Sequence, residues 1–238
     1  MNGTILTATT SALWSSSFIP GQDLGDRQTI ADSKRAFHQQ FPYVISPLYR
    51  RMSDELLVEL HLLSHQKQFQ INPLFAVGLQ TVFKAFTKGY RPENHAVELF
   101  KALCNSNGFE AEGLRSDAAA TLDEAKKHSD QELETWLTQF RLPDDSHYSR
   151  LMAIGVFSLL EAGQGDSGNT ENSELKSGAV KLAERLNMSA SRIEKDITLY
   201  LSSRERLEQA VELMQETLAS DRRKREQRQA ETTQGSSK

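Results

Sequence analysis

The sequence predicts an all-α protein, a multi-helix bundle whose long C-terminal helix has coiled-coil character. Three observations carry this expectation. Apolar residues recur at helical spacing along nearly the whole chain, and no segment shows the two-residue alternation of a half-buried strand. Helix start signals recur at Thr29, at Ser46-Pro47 and at Asn72-Pro73.

The elements follow in order. Met1 to Asp26 holds eight Ser or Thr by Ser17, no Lys or Arg, and no helical period. It lacks the charged start and apolar run of a secretory signal and the arginines of a transit peptide. It reads as a disordered leader, 1–26, with a cleaved targeting peptide as the alternative. Thr29 with Asp32 forms a capping pair for a helix reaching Gln40. Ser46-Pro47 then opens a second helix to about Lys67, because a proline at the first helical position forfeits no hydrogen bond.

That second helix carries Leu48, Met52, Leu56, Leu60 and Leu63 on one stripe. Leu57, Val58 and Leu62 cover much of the remainder. A helix apolar nearly all round is expected to be buried among others, as the core element. Arg51, Glu55 and Glu59 lie four residues apart and form a charged face that can pair along the helix. If buried, that face needs further partners such as Arg35 or Lys34; otherwise it meets water.

Asn72-Pro73 opens the third helix, and Gly89 suits the left-handed position that closes it. Further helices are expected at 93–107, 110–127, 130–140, 147–162, 171–186 and 189–229. Phe75-Ala-Val-Gly78 and Met152-Ala-Ile-Gly155 form a faint repeat, each followed by a second helix and a similar junction at Asn107 and Asn187. Each mid-helix glycine sacrifices about 1 kcal/mol relative to Ala, so close helix–helix approach is its expected purpose. Duplication and chance resemblance both account for the repeat.

In the last helix Ile193, Ile197, Tyr200, Arg204, Leu207, Val211, Met214 and Leu218 alternate by four and three residues, a seam interrupted only by Arg204. It can pack on its own bundle or pair with another chain. After Leu218 the sequence changes to Asp221-Arg-Arg-Lys-Arg-Glu-Gln-Arg228, five cations against two anions. The expected organisation is therefore a leader at 1–26, a helical bundle at 27–220 and a basic, partly disordered tail at 221–238. Arg222, Arg223, Lys224, Arg225 and Arg228 are the candidate interaction residues, suited to anionic lipid, an acidic protein surface or nucleic acid.

The whole chain of 238 residues is 38% hydrophobic and 25% charged with a net charge of -4, which argues against a whole-domain nucleic-acid binder. Cys104 is the only cysteine, which excludes an internal disulfide and fits a reducing compartment. No run reaches the ~18 apolar residues of a membrane-spanning helix, so any membrane attachment is expected to be peripheral.

Catalytic and metal signals are weak. His61 and His65 have a spacing that can share a metal, but no His-Glu-x-x-His motif surrounds them and Asp54 lies about 10 Å along the axis. They read as surface or packing residues. Cys104 reads as a small core residue. Gly163, Gly165 and Gly168 have dinucleotide-loop spacing, but the preceding element is an expected helix where the motif requires a strand. No catalytic, cofactor-binding or metal residue is assigned, and an enzyme is not expected.

The runs Arg27-Gln-Thr-Ile-Ala-Asp-Ser-Lys34, Pro47-Leu-Tyr-Arg-Arg51, Asp54-Glu-Leu-Leu-Val-Glu-Leu-His-Leu-Leu-Ser64 and Pro73-Leu-Phe-Ala-Val-Gly78 closely resemble the thylakoid formation protein family. Gly89-Tyr-Arg-Pro-Glu93, Tyr148-Ser-Arg-Leu-Met-Ala-Ile-Gly155 and the basic run ending at Arg228 extend the likeness. It covers about Arg27 to Gln229. The resemblance implies a non-enzymatic, all-helical factor in thylakoid biogenesis and photosystem II repair, with no cofactor. The implied partners are the FtsH protease, supported under high light, and photosystem II components. The implied location is the cytoplasmic side of the thylakoid membrane in a cyanobacterium, or the stromal side in a plastid, attached peripherally. The alternative reading is a regulatory nucleic-acid-binding protein using the basic C-terminal helix.

Overall fold

A computed structural model describes residues 28–164 and 171–235. The expected leader, the expected tail end after Gly235 and most of the Gly-rich stretch before Thr170 lie outside the described residues. Nine α-helices are described: α1 Ile30–Gln40, α2 Pro47–Ser64, α3 Pro73–Phe86, α4 Glu93–Asn105, α5 Ala111–Ala125, α6 Asp130–Leu137, α7 Arg150–Gly163, α8 Asn172–Leu182 and α9 Ala190–Gly235. A 3-10 turn at Thr138–Phe140 extends α6. The described residues contain no strand.

Local sequence explains the helix starts. At α1 the Thr29 hydroxyl accepts from the Asp32 N–H while the Asp32 carboxylate accepts from the Thr29 N–H, a reciprocal cap. The Asn72 side chain accepts from Phe75 N–H at 2.9 Å, with Pro73 in the first turn of α3. Ser46 stands at the cap of α2, but its side chain makes no capping bond. Pro47 alone marks that start. Several helices end sooner than periodicity suggests, α2 at Ser64 and α8 at Leu182. Gly89, at φ +79°, adopts the left-handed conformation expected of it beyond α3.

The centre of the bundle is the α3–α7 pair. Leu151 to Leu160 of α7 are all buried, as are Pro73 to Leu79, Val82 and Phe83 of α3. Burial of so much apolar surface is the main stabilising term. The two helices meet at glycines. A Cβ on Gly78 would collide with the Leu151 carbonyl, and one on Gly155 with the Leu74 carbonyl. Close approach is therefore what these residues permit.

Around this pair, α5 packs on α3, and α8 and α9 pack on α7. Helices α1, α2 and α4 pack on one another. The repeat seen in sequence has a structural counterpart. Gly108 (φ +79°) after α4 and Asn187 (φ 57°) after α8 both adopt left-handed conformation. In both turns the next residue bonds back five positions, Phe109 N–H to Cys104 O at 3.1 Å and Met188 N–H to Ala183 O at 2.8 Å.

The expectation for α2 needs correction. Leu56, Leu57, Leu60 and Leu63 are buried, but Val58 is 37% exposed and Leu62 60% exposed. Helix α2 lies at the surface with one apolar face inward, and the core element is the α3–α7 pair. The seam of α9 packs on its own bundle: Ile193, Ile197, Tyr200 and Val211 are buried. Arg204 interrupts that seam by lying over the Tyr200 ring, 5.6 Å from its centre, and facing Glu161.

Candidate functional site

Helix α9 leaves the body near Gly89. Lys88 bonds Glu208 at 3.1 Å, and the Val211 side chain packs against Gly89. From Gln215 to Gln229 every side chain is exposed. This stretch would extend about 20 Å at 1.5 Å per residue. Along it stand Arg222, Arg223, Lys224, Arg225 and Arg228, the sequence-predicted interaction residues, on a backbone that stays helical to Gly235. Residues 221–235 are thus a continuation of α9. Repeated cations on one exposed rod form a surface suited to an anionic partner.

The charged face of α2 is divided between two pairings. Arg51 Nε donates to Glu55 Oε1 at 2.8 Å, an exposed pair along the helix. Glu59 turns away from both and accepts from Nε and Nη2 of Arg150 at 2.9 and 2.7 Å. The Glu59 side chain is 16% exposed. Neither Arg35 nor Lys34 serves it, because Arg35 pairs with Asp32 at 2.9 Å within α1. Burial disfavours the Arg150 cation, but the hydrogen bonds and charge of Glu59 outweigh it and raise Arg150 above the usual arginine range. Beside this pair Tyr148 donates to Asp196 of α9 at 2.7 Å, and Arg192 lies over the Tyr148 ring. Burial, then Asp196, pushes the Tyr148 phenol upward.

In the sequence Tyr148 and Arg150 stand out only as part of the family-like run 148–155, and nothing there marks Asp196. Arg150 lies 91 residues from Glu59, and no local spacing relates them.

His61 and His65 are adjacent, with ring centres 4.4 Å apart. The Nδ1 of each ring is engaged: Ser33 Oγ lies 2.9 Å from His61 Nδ1, and His65 Nδ1 lies 2.8 Å from the His61 carbonyl. Burial, and then His65, hold His61 below the usual histidine range. Among the described residues no three His, Cys, Asp or Glu side chains converge as metal ligands. Cys104 is fully buried, and burial pushes its thiol upward. Gly163 ends α7, so the glycine spacing there follows a helix. No described helix is long and apolar enough to cross a membrane.

The family model for Thylakoid formation protein matches residues 29–229. The chain is 58% identical to Protein Thf1 of Parasynechococcus marenigrum over 89% of this chain and 98% of that one. It is 54% identical to Protein Thf1 of Synechococcus sp. (strain CC9902), over 90% and 99%. A solved structure of Psb29 superposes with a TM-score of 0.70 at 31% identity, covering 83% of this chain and 98% of that one.

Proposed function

This chain belongs to the thylakoid formation protein family, and we propose that it is a non-enzymatic factor in thylakoid biogenesis and photosystem II repair. In this reading it acts by protein–protein interaction, attached peripherally to the cytoplasmic face of the thylakoid. It supports the FtsH protease that removes damaged photosystem II subunits in strong light.

One observation carries the docking role: the exposed end of α9, along which Arg222, Arg223, Lys224, Arg225 and Arg228 stand on a backbone that stays helical. Each cation near an anionic membrane contributes about 1 kcal/mol, so five are enough for reversible attachment. The bundle at 27–220 and the basic segment at 221–238 then have separate roles, one structural and one for docking. The pairing of Arg51 with Glu55, and of Glu59 with Arg150, supports a structural role for the α2 face.

Affinity isolation of the tagged chain from strong-light-treated cyanobacterial cells tests the proposal. FtsH and photosystem II subunits are expected with the full chain and depleted with a chain ending at Ser220. Their absence from both eluates would contradict it. The nucleic-acid reading makes a separate prediction on the same segment, binding to DNA or RNA that falls steeply with salt. The segment has no aromatic residue for base stacking, which disfavours it.

A further inference from the structure

Helices α2, α3, α7 and α9 border one cavity of about 400 Å³. Leu56, Val82, Leu151, Ile154 and Tyr200 line it and are themselves buried. Leu48, Met52 and Phe86 line it from partly buried positions. Leu199 of α9 borders it and is left 53% exposed. A cavity of this size, apolar except for a few polar groups, has the form of a small-molecule site.

Its shape limits the occupant. Helices α2 and α9 run antiparallel beside it: Tyr49 and Val211 both lie against Gly89, whereas Glu59 and Asp196 both act by charge on Arg150. The lining runs about 21 Å along α9, from Asp196 to Ala210, and about 12 Å along α2, from Leu48 to Leu56. A space of about 400 Å³ over that length has a mean section of about 20–30 Å². A helix with its side chains is about 10–12 Å across and needs a section of about 80–110 Å². The cavity is therefore too narrow to seat a partner helix. It has the width of one unbranched hydrocarbon chain, which would take the exposed face of Leu199 out of water.

The charges at the border select the head group. Five charged side chains stand there, Arg51, Glu55, Arg150, Asp196 and Arg206. Arg51 donates to Glu55 at 2.8 Å, and Arg150 donates to Glu59 at 2.7 Å. Asp196 accepts from Tyr148 at 2.7 Å. Arg206 has no ion pair and no hydrogen bond among the described residues. Once the pairs are formed, the charge left over is a single cation, nearer the Ala210 end. A guanidinium binds a carboxylate through two parallel N–H···O bonds, a geometry that a lone cation on a rim can offer.

We propose that the cavity between α2, α3, α7 and α9 binds a free long-chain carboxylate, its chain on Leu56, Val82, Leu151 and Ile154 and its carboxylate on Arg206. The site is separate from residues 221–229 and does not rest on the docking role given to them.

Isothermal titration of the full chain, purified free of lipid, with ionised tetradecanoate tests this. One tetradecanoate should bind per chain, saturably and about tenfold more tightly than tetradecanol. Arg206→Gln should lower the affinity for the acid to that for the alcohol and leave the alcohol unaffected, whereas misfolding would weaken both. Ala210→Trp, which fills the cavity from a half-buried position, should abolish binding of both with helicity unchanged. Flotation with phosphatidylglycerol vesicles should be the same for Ala210→Trp and the parent. No saturable binding, equal affinity for acid and alcohol, or indifference to Arg206→Gln would overturn the proposal. So would loss of flotation in Ala210→Trp without tetradecanoate binding by the parent, since the cavity would then hold a chain of a membrane lipid. A dimer of the parent that Ala210→Trp dissociates would also overturn it, by giving the cavity to a second copy.

Discussion

Gly78 and Gly155 are reciprocal partners: each faces the backbone carbonyl of the residue four positions before the other, Leu151 for Gly78 and Leu74 for Gly155. The α3–α7 contact is thus formed by main chain against main chain. On that pair α5, α8 and α9 pack, while α2 packs on α1 and α4.

Alanine at either glycine should destabilise the protein. Helix propensity alone would favour Ala by about 1 kcal/mol, but the added methyl meets backbone, which cannot rotate away as a side chain can. Overpacking of about 1–3 kcal/mol or more is expected to prevail. Urea denaturation should show a lower midpoint for Gly78→Ala and for Gly155→Ala. A midpoint at or above the parent value would show that the helices separate without loss.

Removing Arg150 should cost more than removing the pair. Arg150→Met leaves the largely buried Glu59 carboxylate without its cation, for a loss of about 1–2 kcal/mol given the partial exposure of Arg150. Adding Glu59→Gln should restore part of that stability. A double-mutant cycle measures the coupling, and strict additivity would mean that the two side chains do not interact energetically.

The stability should depend on His61 below neutrality. Its folded-state pKa is depressed, by burial and then by His65, so the unfolded chain binds a proton more readily. The contribution is fully present above the unfolded value of about 6.5 and is lost as pH falls from there toward the depressed folded value. His61→Gln should flatten the denaturation midpoint between about pH 7 and pH 5.5 relative to the parent. Identical pH profiles would remove this role from His61.

Cys104 should be silent in the native protein, because it is fully buried and burial raises its thiol pKa. A disulfide reagent should react with it only as the protein unfolds, and at the same denaturant concentration as loss of helicity. Rapid labelling without denaturant would place the thiol at the surface.

How much of this was legible in the sequence depended on distance along the chain. The caps at Thr29 and Asn72 and the proline start at Pro47 involve neighbours, so they were readable. The glycine contacts were readable as a purpose, though not as the Leu74 and Leu151 carbonyls. Helix α2 was misjudged because apolar periodicity reports composition and not what lies opposite. Val58 and Leu62 are apolar yet face outward. The Glu59–Arg150 pair joins segments far apart in sequence, and no spacing could have shown it.

The docking role of the basic end of α9 is tested most directly by co-sedimentation with isolated thylakoid membranes. The measurement compares the full chain with a variant carrying Gln at positions 222, 223, 224, 225 and 228. At about 1 kcal/mol for each cation near the surface, the variant should partition into the membrane pellet at least about tenfold more weakly. The parent should itself be released by rising salt. Equal sedimentation of the two proteins at low salt, with helicity matched, would contradict the account.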